Sequence, residues 1–280
     1  MEDNFTNLRL AVLIDAENVP RNSLSSVIEE VAVYGTPTIK RIYGDWTNPS
    51  IAGWKGPLLE NAVTPIQQYS YTTGKNSSDS AMIIDAMDLL YSGKTDGFVI
   101  VSSDSDFTRL AIRLREAGQK VIGIGEKKTP KAFIAACDRF TYIEVIRKNT
   151  EDAKHASAEA AIETAELTHE TTEHVSSTAP KPVPRDSDGG AKAKPQKLPE
   201  EIINLLADSI ADLASDGDDG GVFMGELGNL LRRKKPDFDS RNYGFKTLSA
   251  LIKSVDRFSI DFRNTTDPNI KHPYVKDKEA

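Results

Sequence analysis

Cysteine is almost missing from this sequence. One copy, Cys137, stands among 280 residues, which excludes an intramolecular disulfide and any cysteine-rich zinc site. Its apolar surroundings, "FIAAC", read as a core position on a helix. Histidine is scarce too, with four copies, and none falls near the acidic segments that matter below. No apolar run approaches the roughly 20 residues of a membrane span. The opening "MEDNFTNLRL" has neither the basic n-region nor the apolar core of a signal peptide, and a cytoplasmic protein is expected. Net positive charge is lacking as well. The formal charge is -7 at pH 7, which argues against nucleic acid unless an acidic half masks a basic one, so local charge has to decide. Two phosphate-binding fingerprints fail on spacing. "GIGEKK" (residues 123–128) has no third glycine, and "SGKTDG" (92–97) has no upstream glycine at the P-loop interval. An aspartyl-phosphate enzyme would carry a second Asp two places after Asp15, where Glu17 stands.

What is present divides into two. The chain is longer than one average domain. Its first half alternates strand-like and helix-like runs, starting with "RLAVLID" (residues 9–15) and "SLSSVIEEVAVYG" and ending with "FTYIEVI", read as a last strand. The runs "AVLI" and "FVIV" are apolar without interruption, as strands of a parallel sheet covered on both faces must be. The fold class is α/β, an open parallel sheet sandwiched by helices, with ligand sites beyond the carboxyl ends of its strands. The expected boundaries are 8–146 for this domain and 147–196 for a flexible linker rich in Ala, Thr, Ser, Lys and Pro. A small winged-helix-like α+β domain fills 197–278. It opens on "LPEEIINLLADSIADL", where Pro199 suits a helix start.

Carboxylates gather at the strand ends. "VLIDAENVP" ends its strand at Asp15, and "VIVSSDSDF" delivers Asp104 and Asp106 just past another. "TTGKNSSDSAMIIDAMDLL" puts Asp79 at a helix start. Packed closely, such groups repel one another, and a divalent cation relieves this by accepting their oxygens. Oxygen-only ligation favours Mg²⁺ or Mn²⁺ over zinc. Each residue also has a plainer reading. Asp79 and Asp106 suit helix caps. Asp85 and Asp88, inside a helix, suit solvated or structural roles. Glu17 and Asn18 suit a turn before Pro20, while Asn18 would also serve to hold Asp15 or a water. Convergence of three separate segments favours the metal site.

The segments "LIDAENVP", "GKNSSDSAMIIDAMDLL" and "VIVSSDSDFTRLAIRLREAGQKVIGIG" together resemble the NYN domain, the LabA-like branch of the PIN-fold nucleases, over residues 8 to 146. The resemblance implies a PIN-like fold and a metal-dependent endoribonuclease leaving a 5′-phosphate. Asp15, Asp79, Asp104 and Asp106 would occupy the acidic metal site, with Asn18 beside the first. Many relatives read Lys-Gly-x-Asp before the helix where this chain reads "KNSSD". Lys75 from that segment, with Lys40, Arg41, Lys55 and Lys127, is the first domain's candidate for gripping RNA.

The second domain resembles the OST-HTH or LOTUS domain, whose Gly-Phe-Lys-x-Leu start to a recognition-type helix is here Gly244 to Leu248. Arg232, Arg233, Lys234, Lys235, Arg241 and Lys246 would contact phosphates, and Tyr243 is the stacking candidate. Phe245, Leu248, Leu251 and Ile252 recur at helical spacing and belong to a core. A plainer reading makes "RRKK" a helix C-terminus that complements its dipole. The leading expectation is a ribonuclease acting on single-stranded or structured RNA, with no membrane partner. The alternatives are a non-catalytic RNA-binding adaptor with a structural ion, and a phosphatase of small substrates. Homo-oligomerisation or protein docking through the C-terminal domain is the other partner expectation.

Overall fold

The computed structural model describes residues 8–69, 77–152, 198–214, 221–264 and 271–279. The expected linker falls largely outside them. Six strands, β1 (Arg9–Asp15), β2 (Thr36–Gly44), β3 (Thr64–Gln67), β4 (Gly97–Val101), β5 (Lys120–Gly125) and β6 (Arg139–Tyr142), make one sheet. The order is β3-β2-β1-β4-β5-β6, and every neighbouring pair is parallel.

Both faces of this sheet are covered, which explains why β1 is apolar throughout. Leu10, Val12 and Ile14 join one core cluster while Ala11 and Leu13 join the other, and all five are fully buried. That alternation is the two-residue period of a strand. The first face is closed by Val27 and Val31 of α1 (Leu24–Ala32), Leu58 of α2 (Lys55–Glu60), and Ile143 and Ile146 of α6 (143–152). The second is closed by Met82 and Ala86 of α3 (Ser77–Ser92), Leu110 and Leu114 of α4 (Thr108–Glu116), and Phe133 of α5 (Lys131–Ala136). Cys137 lies in this second cluster, where burial pushes its thiol up to about 12 and makes it a packing residue.

One element differs from its sequence reading. The strand through "FTYIEVI" stops at Tyr142, and residues 143–152 are helical. Ile143, Val145 and Ile146 are buried around exposed Glu144, a pattern that four residues cannot assign to a strand or a helix. The i, i+3 pair Ile143 and Ile146 packs onto the sheet as one helical face.

Strand order places the functional crevice. The chain builds β1, β2 and β3 towards one side, then returns to lay β4, β5 and β6 on the other. Connections therefore leave β1 and β4 in opposite directions, and a cleft opens beyond their carboxyl ends. Gly125 guards one flank of it. A Cβ there would lie 2.6 Å from the Ser102 carbonyl oxygen and 2.7 Å from Thr129 Oγ1. Gly125→Ala is expected to destabilise the fold by about 1–3 kcal/mol, as overpacking does. A urea midpoint equal to that of the parent would show that β4 and the Thr129 loop yield freely.

The second domain packs α7 (Glu200–Leu213), α8 (Met224–Lys234) and α9 (Leu248–Lys253) on an antiparallel sheet of order β7-β9-β8. Its strands are β7 (Val222–Phe223), β8 (Phe258–Asn264) and β9 (Lys271–Asp277). Leu206, Leu227, Leu231, Leu251, Ile252 and Val275 are fully buried, with Phe245 and Leu248 packed at the margin. This domain is seated against the β6 side of the first. The Phe140 N–H donates to the Pro236 carbonyl (2.9 Å) and the Tyr142 hydroxyl to Asp237 Oδ2 (2.8 Å). Arg241 forks onto Glu30 of α1, Nη1 to Oε2 at 3.0 Å and Nη2 to Oε1 at 2.7 Å. Among the described residues no helix is long and apolar enough to cross a membrane.

Candidate metal centre

Asp15 closes β1 and is 1% exposed. It continues the alternation of Ala11 and Leu13, which turns it to the face that α3 covers. Burying a carboxylate requires compensating donors, and four are present. Oδ1 accepts the backbone N–H of Glu17 (3.0 Å) and of Asn18 (3.3 Å), while Oδ2 accepts Asn18 Nδ2 (2.8 Å) and Ser102 Oγ (2.8 Å). The turn after β1 is thus wound around this side chain, with Asn18 as its clamp.

Ser102 is fully buried at the end of β4, and its Oγ also accepts the Asp104 N–H (3.1 Å). One hydroxyl therefore ties the end of β1 to the turn that carries the next two carboxylates. Asp104 Oδ1 accepts the Asp106 N–H (2.9 Å) and opens the 3-10 turn Ser105–Phe107 that leads into α4. Capping and site-building coincide here. Asp79 arrives in the first turn of α3.

Asp79, Asp104 and Asp106 each offer one carboxylate oxygen, and these oxygens lie within 4.8 Å of one another. The first is buried, the second half-buried and the third exposed. Burial, followed by the charges of Asp15, Asp104, Glu17 and Asp106, pushes the Asp79 carboxyl up to about 7. Four neighbouring carboxylates act on Asp79 in the same direction, a concentration of negative charge that a divalent cation can offset. An all-oxygen donor set of this kind fits a hard cation.

Of the four acids expected to hold a metal, three converge. Asp15 lies close enough to act electrically on Asp79, yet both its oxygens are engaged and it stays outside the group of three. Asp85 is turned elsewhere and accepts from the Arg41 guanidinium and the Tyr43 hydroxyl. Burial and then this bond push the Tyr43 phenol up. Arg41 is thereby occupied, and Lys40 Nζ donates to the Asn61 carbonyl (2.5 Å). Lys55 and Lys127 are exposed, and Lys75 falls outside the described residues.

Basic residues of the second domain are differently placed from a free row of phosphate contacts. Lys234 pairs with Asp212 (2.6 Å), Lys235 with Glu201 (3.1 Å), and Arg232 donates to Asn229 (2.7 Å). Arg233 and Lys246 are exposed. Arg241 gives its donors to Glu30 and Asp239. Tyr243 is half-buried with its ring centroid 6.2 Å from that of Phe238, and burial pushes its phenol up to about 12.

Ser102 is the site residue that sequence reasoning passed over. A serine after an apolar strand is commonplace, and its role shows only once β1 and β4 are known to be neighbours. Ser102→Ala should leave the sheet intact but release both Asp15 and the Asp104 turn, lowering metal affinity or turnover about 10–100-fold, the scale for groups that orient ligands. Mn²⁺ titration by calorimetry reads the affinity directly. Parent-like affinity and turnover together would remove Ser102 from the site.

A helix-flanked parallel sheet with an acid cluster at its switch point defines an NYN/PIN-like α/β domain, here joined to a smaller α+β domain. The family models agree in detail. That of the NYN domain matches residues 9–144, and that of the OST-HTH/LOTUS domain matches residues 193–270. The chain carries an N-terminal NYN domain and a C-terminal OST-HTH/LOTUS domain. Among solved structures, a protein of unknown function from Vibrio parahaemolyticus is 18% identical, with a TM-score of 0.42 over 49% of this chain and 93% of its own. An uncharacterized protein from Nitrosomonas europaea, solved by NMR, is 31% identical, with a TM-score of 0.25 over 36% of this chain and 92% of its own. No curated protein matches the chain.

Proposed function

We propose that the protein is a metal-dependent endoribonuclease, with the NYN domain cutting RNA phosphodiesters and the OST-HTH/LOTUS domain helping to hold the strand. The observation that carries this reading is the group Asp79, Asp104 and Asp106 at the β1/β4 switch point, with the Asp79 carboxyl pushed up to about 7. These three would hold Mg²⁺ or Mn²⁺. When bound, such an ion lowers the pKa of its water and offsets charge building on the phosphate. Asp15 adds negative charge next to Asp79, and Asn18 and Ser102 keep it from turning away. Asp106 is exposed and Asp79 buried, so on this reading the phosphate would approach the carboxylates from the Asp106 side. The OST-HTH/LOTUS module supports RNA as the substrate, since such domains are generally RNA-binding.

The test is incubation of end-labelled single-stranded RNA with the full chain in Mn²⁺, in Mg²⁺ and in EDTA. Cleavage in at least one metal and its absence in EDTA is the expected result. RNA that is bound but never cut in either metal would overturn the reading in favour of an adaptor. Faster release of phosphate from an aryl phosphate than cleavage of RNA would favour a phosphatase.

A further inference from the structure

The seam between the two domains carries a feature that the acid site does not use. Arg241 stands at its centre, forked onto Glu30 of the first domain and bonded to Asp239 of its own. Arg139, at the start of β6, lies 3.7 Å from Asp239 and stacks over the Tyr34 ring at 4.5 Å. The acids here are matched. Burial alone would raise Glu30 and Asp239, but their bonds to Arg241 hold both below the usual carboxylate range. The charges of these two acids and of Arg241 largely offset one another inside the protein.

Two grooves are lined in part by Arg241 and Lys246. One, of about 330 Å³, is walled by Lys148, Asn149 and Asp152 of α6 and by Gly244, Phe245 and Lys246 of the second domain. The other, of about 300 Å³, includes Arg139, Arg232 and, again, Lys246. Together they present five cations against three acids; with Arg241 and Arg139 paired to Glu30 and Asp239, Asp152 is the one lining acid left for Lys148, Lys246 and Arg232. Lys148 and Lys246 are exposed and come from different domains. Gly244 has φ +84, and nothing lies within 4 Å of where its Cβ would be, so the backbone can be approached closely there. In a chain of net charge -7 this local excess of cations is out of character.

Its position relative to the acids follows from strand register. Tyr142, which bonds to Asp237 across the seam, is level with Gly125 of β5. Gly125 follows Ile124, the partner of Val101, so it is level with Ser102, and Ser102 is in turn level with Asp15. At its Tyr142–Asp237 end the seam thus meets the carboxyl edge of the sheet three strand spacings from Asp15, about 14 Å at the usual separation. Lys148 stands six residues beyond Tyr142 on α6, on the face opposite α3, so a strand held there reaches the acids by passing over this edge.

We infer that the seam is a second RNA contact, in which Lys148 of one domain and Lys246 of the other hold the phosphate backbone of a strand running to the acid site. This rests on the reading that RNA is the substrate. The site exists only while the domains are docked, a contact that the Glu30–Arg241 fork holds together with the Phe140–Pro236 and Tyr142–Asp237 bonds.

The test measures binding of a fluorescein-labelled single-stranded RNA to the full chain by anisotropy in EDTA, across a series of salt concentrations. The variants are Lys148→Glu, Lys246→Glu and Glu30→Lys, with thermal melts to confirm folding. Each lysine reversal should weaken binding roughly tenfold and make the slope of log affinity against log salt shallower by about 0.7, the value per single-strand phosphate contact. Glu30→Lys discriminates most sharply. It removes an acid and adds a base, so charge alone would tighten binding, whereas loss of docking should weaken it severalfold. Tighter binding by Glu30→Lys, or parent-like affinity and slope in both lysine variants, would overturn the seam and leave it to another ligand, such as an acidic peptide. If the parent itself failed to bind RNA, the reading of RNA as substrate would fall first.

Discussion

Asp104→Asn is expected to lower Mn²⁺-dependent cleavage of single-stranded RNA about a thousandfold, the scale for losing one pre-organised charge that faces a transition state. The substitution is close to isosteric. The amide oxygen still accepts the Asp106 N–H that now bonds Oδ1 at 2.9 Å, so the turn into α4 keeps its shape. What disappears is one of three converging carboxylates. Because the Asp104 charge also helps raise Asp79, the ion-free variant should be no less stable than its parent. Single-turnover rates with a melt on the same sample separate chemistry from folding. Unchanged turnover in a folded variant would sink the site assignment.

Mn²⁺ affinity should fall about tenfold for each unit of pH below about 7, because an ion binding there must displace the Asp79 proton. Burial comes first among the causes of that raised value, with the neighbouring carboxylates behind it. The sign for stability runs the same way. Between the ordinary 3.8 and about 7 the ion-free folded protein holds a proton that the unfolded chain has lost. Stability of the ion-free protein therefore declines as pH rises through that window and stays at its low level above it. Mn²⁺ reverses the decline, so the rise in melting temperature it produces should be larger at pH 8 than at pH 5.5. Asp79→Asn should abolish most of this difference. Equal Mn²⁺ shifts at both pH values in the parent would mean that Asp79 is not the proton-bearing ligand.

Much of the first domain was legible because its strands are buried on both faces. "AVLI" and "FVIV" have no solvent side, and their ends mark where polar chemistry must begin. Asp79, Asp104 and Asp106 could be placed together on that ground. The part played by Asp15 could not. Whether its oxygens face the pocket or Ser102 and Asn18 depends on the pairing of β1 with β4, which no local pattern encodes. Arg241 was misleading for a related reason. In the sequence it follows "RRKK" as one more cation, and only the fold brings Glu30, 211 positions away, to meet it. Charge runs report composition, whereas partners come from topology.

Strand edges are where folded proteins are recruited into unwanted assemblies, since an unpaired row of N–H and C=O groups will template another chain. This open sheet has two such boundaries. On the β6 side the Phe140 N–H already meets the Pro236 carbonyl of the docked domain. On the β3 side the strand has four residues, Pro65 offers no N–H, and the Ile66 carbonyl accepts from Trp46 Nε1 at 2.9 Å. The domain contact therefore does for one margin what proline and tryptophan do for the other: it blunts the sheet against self-association.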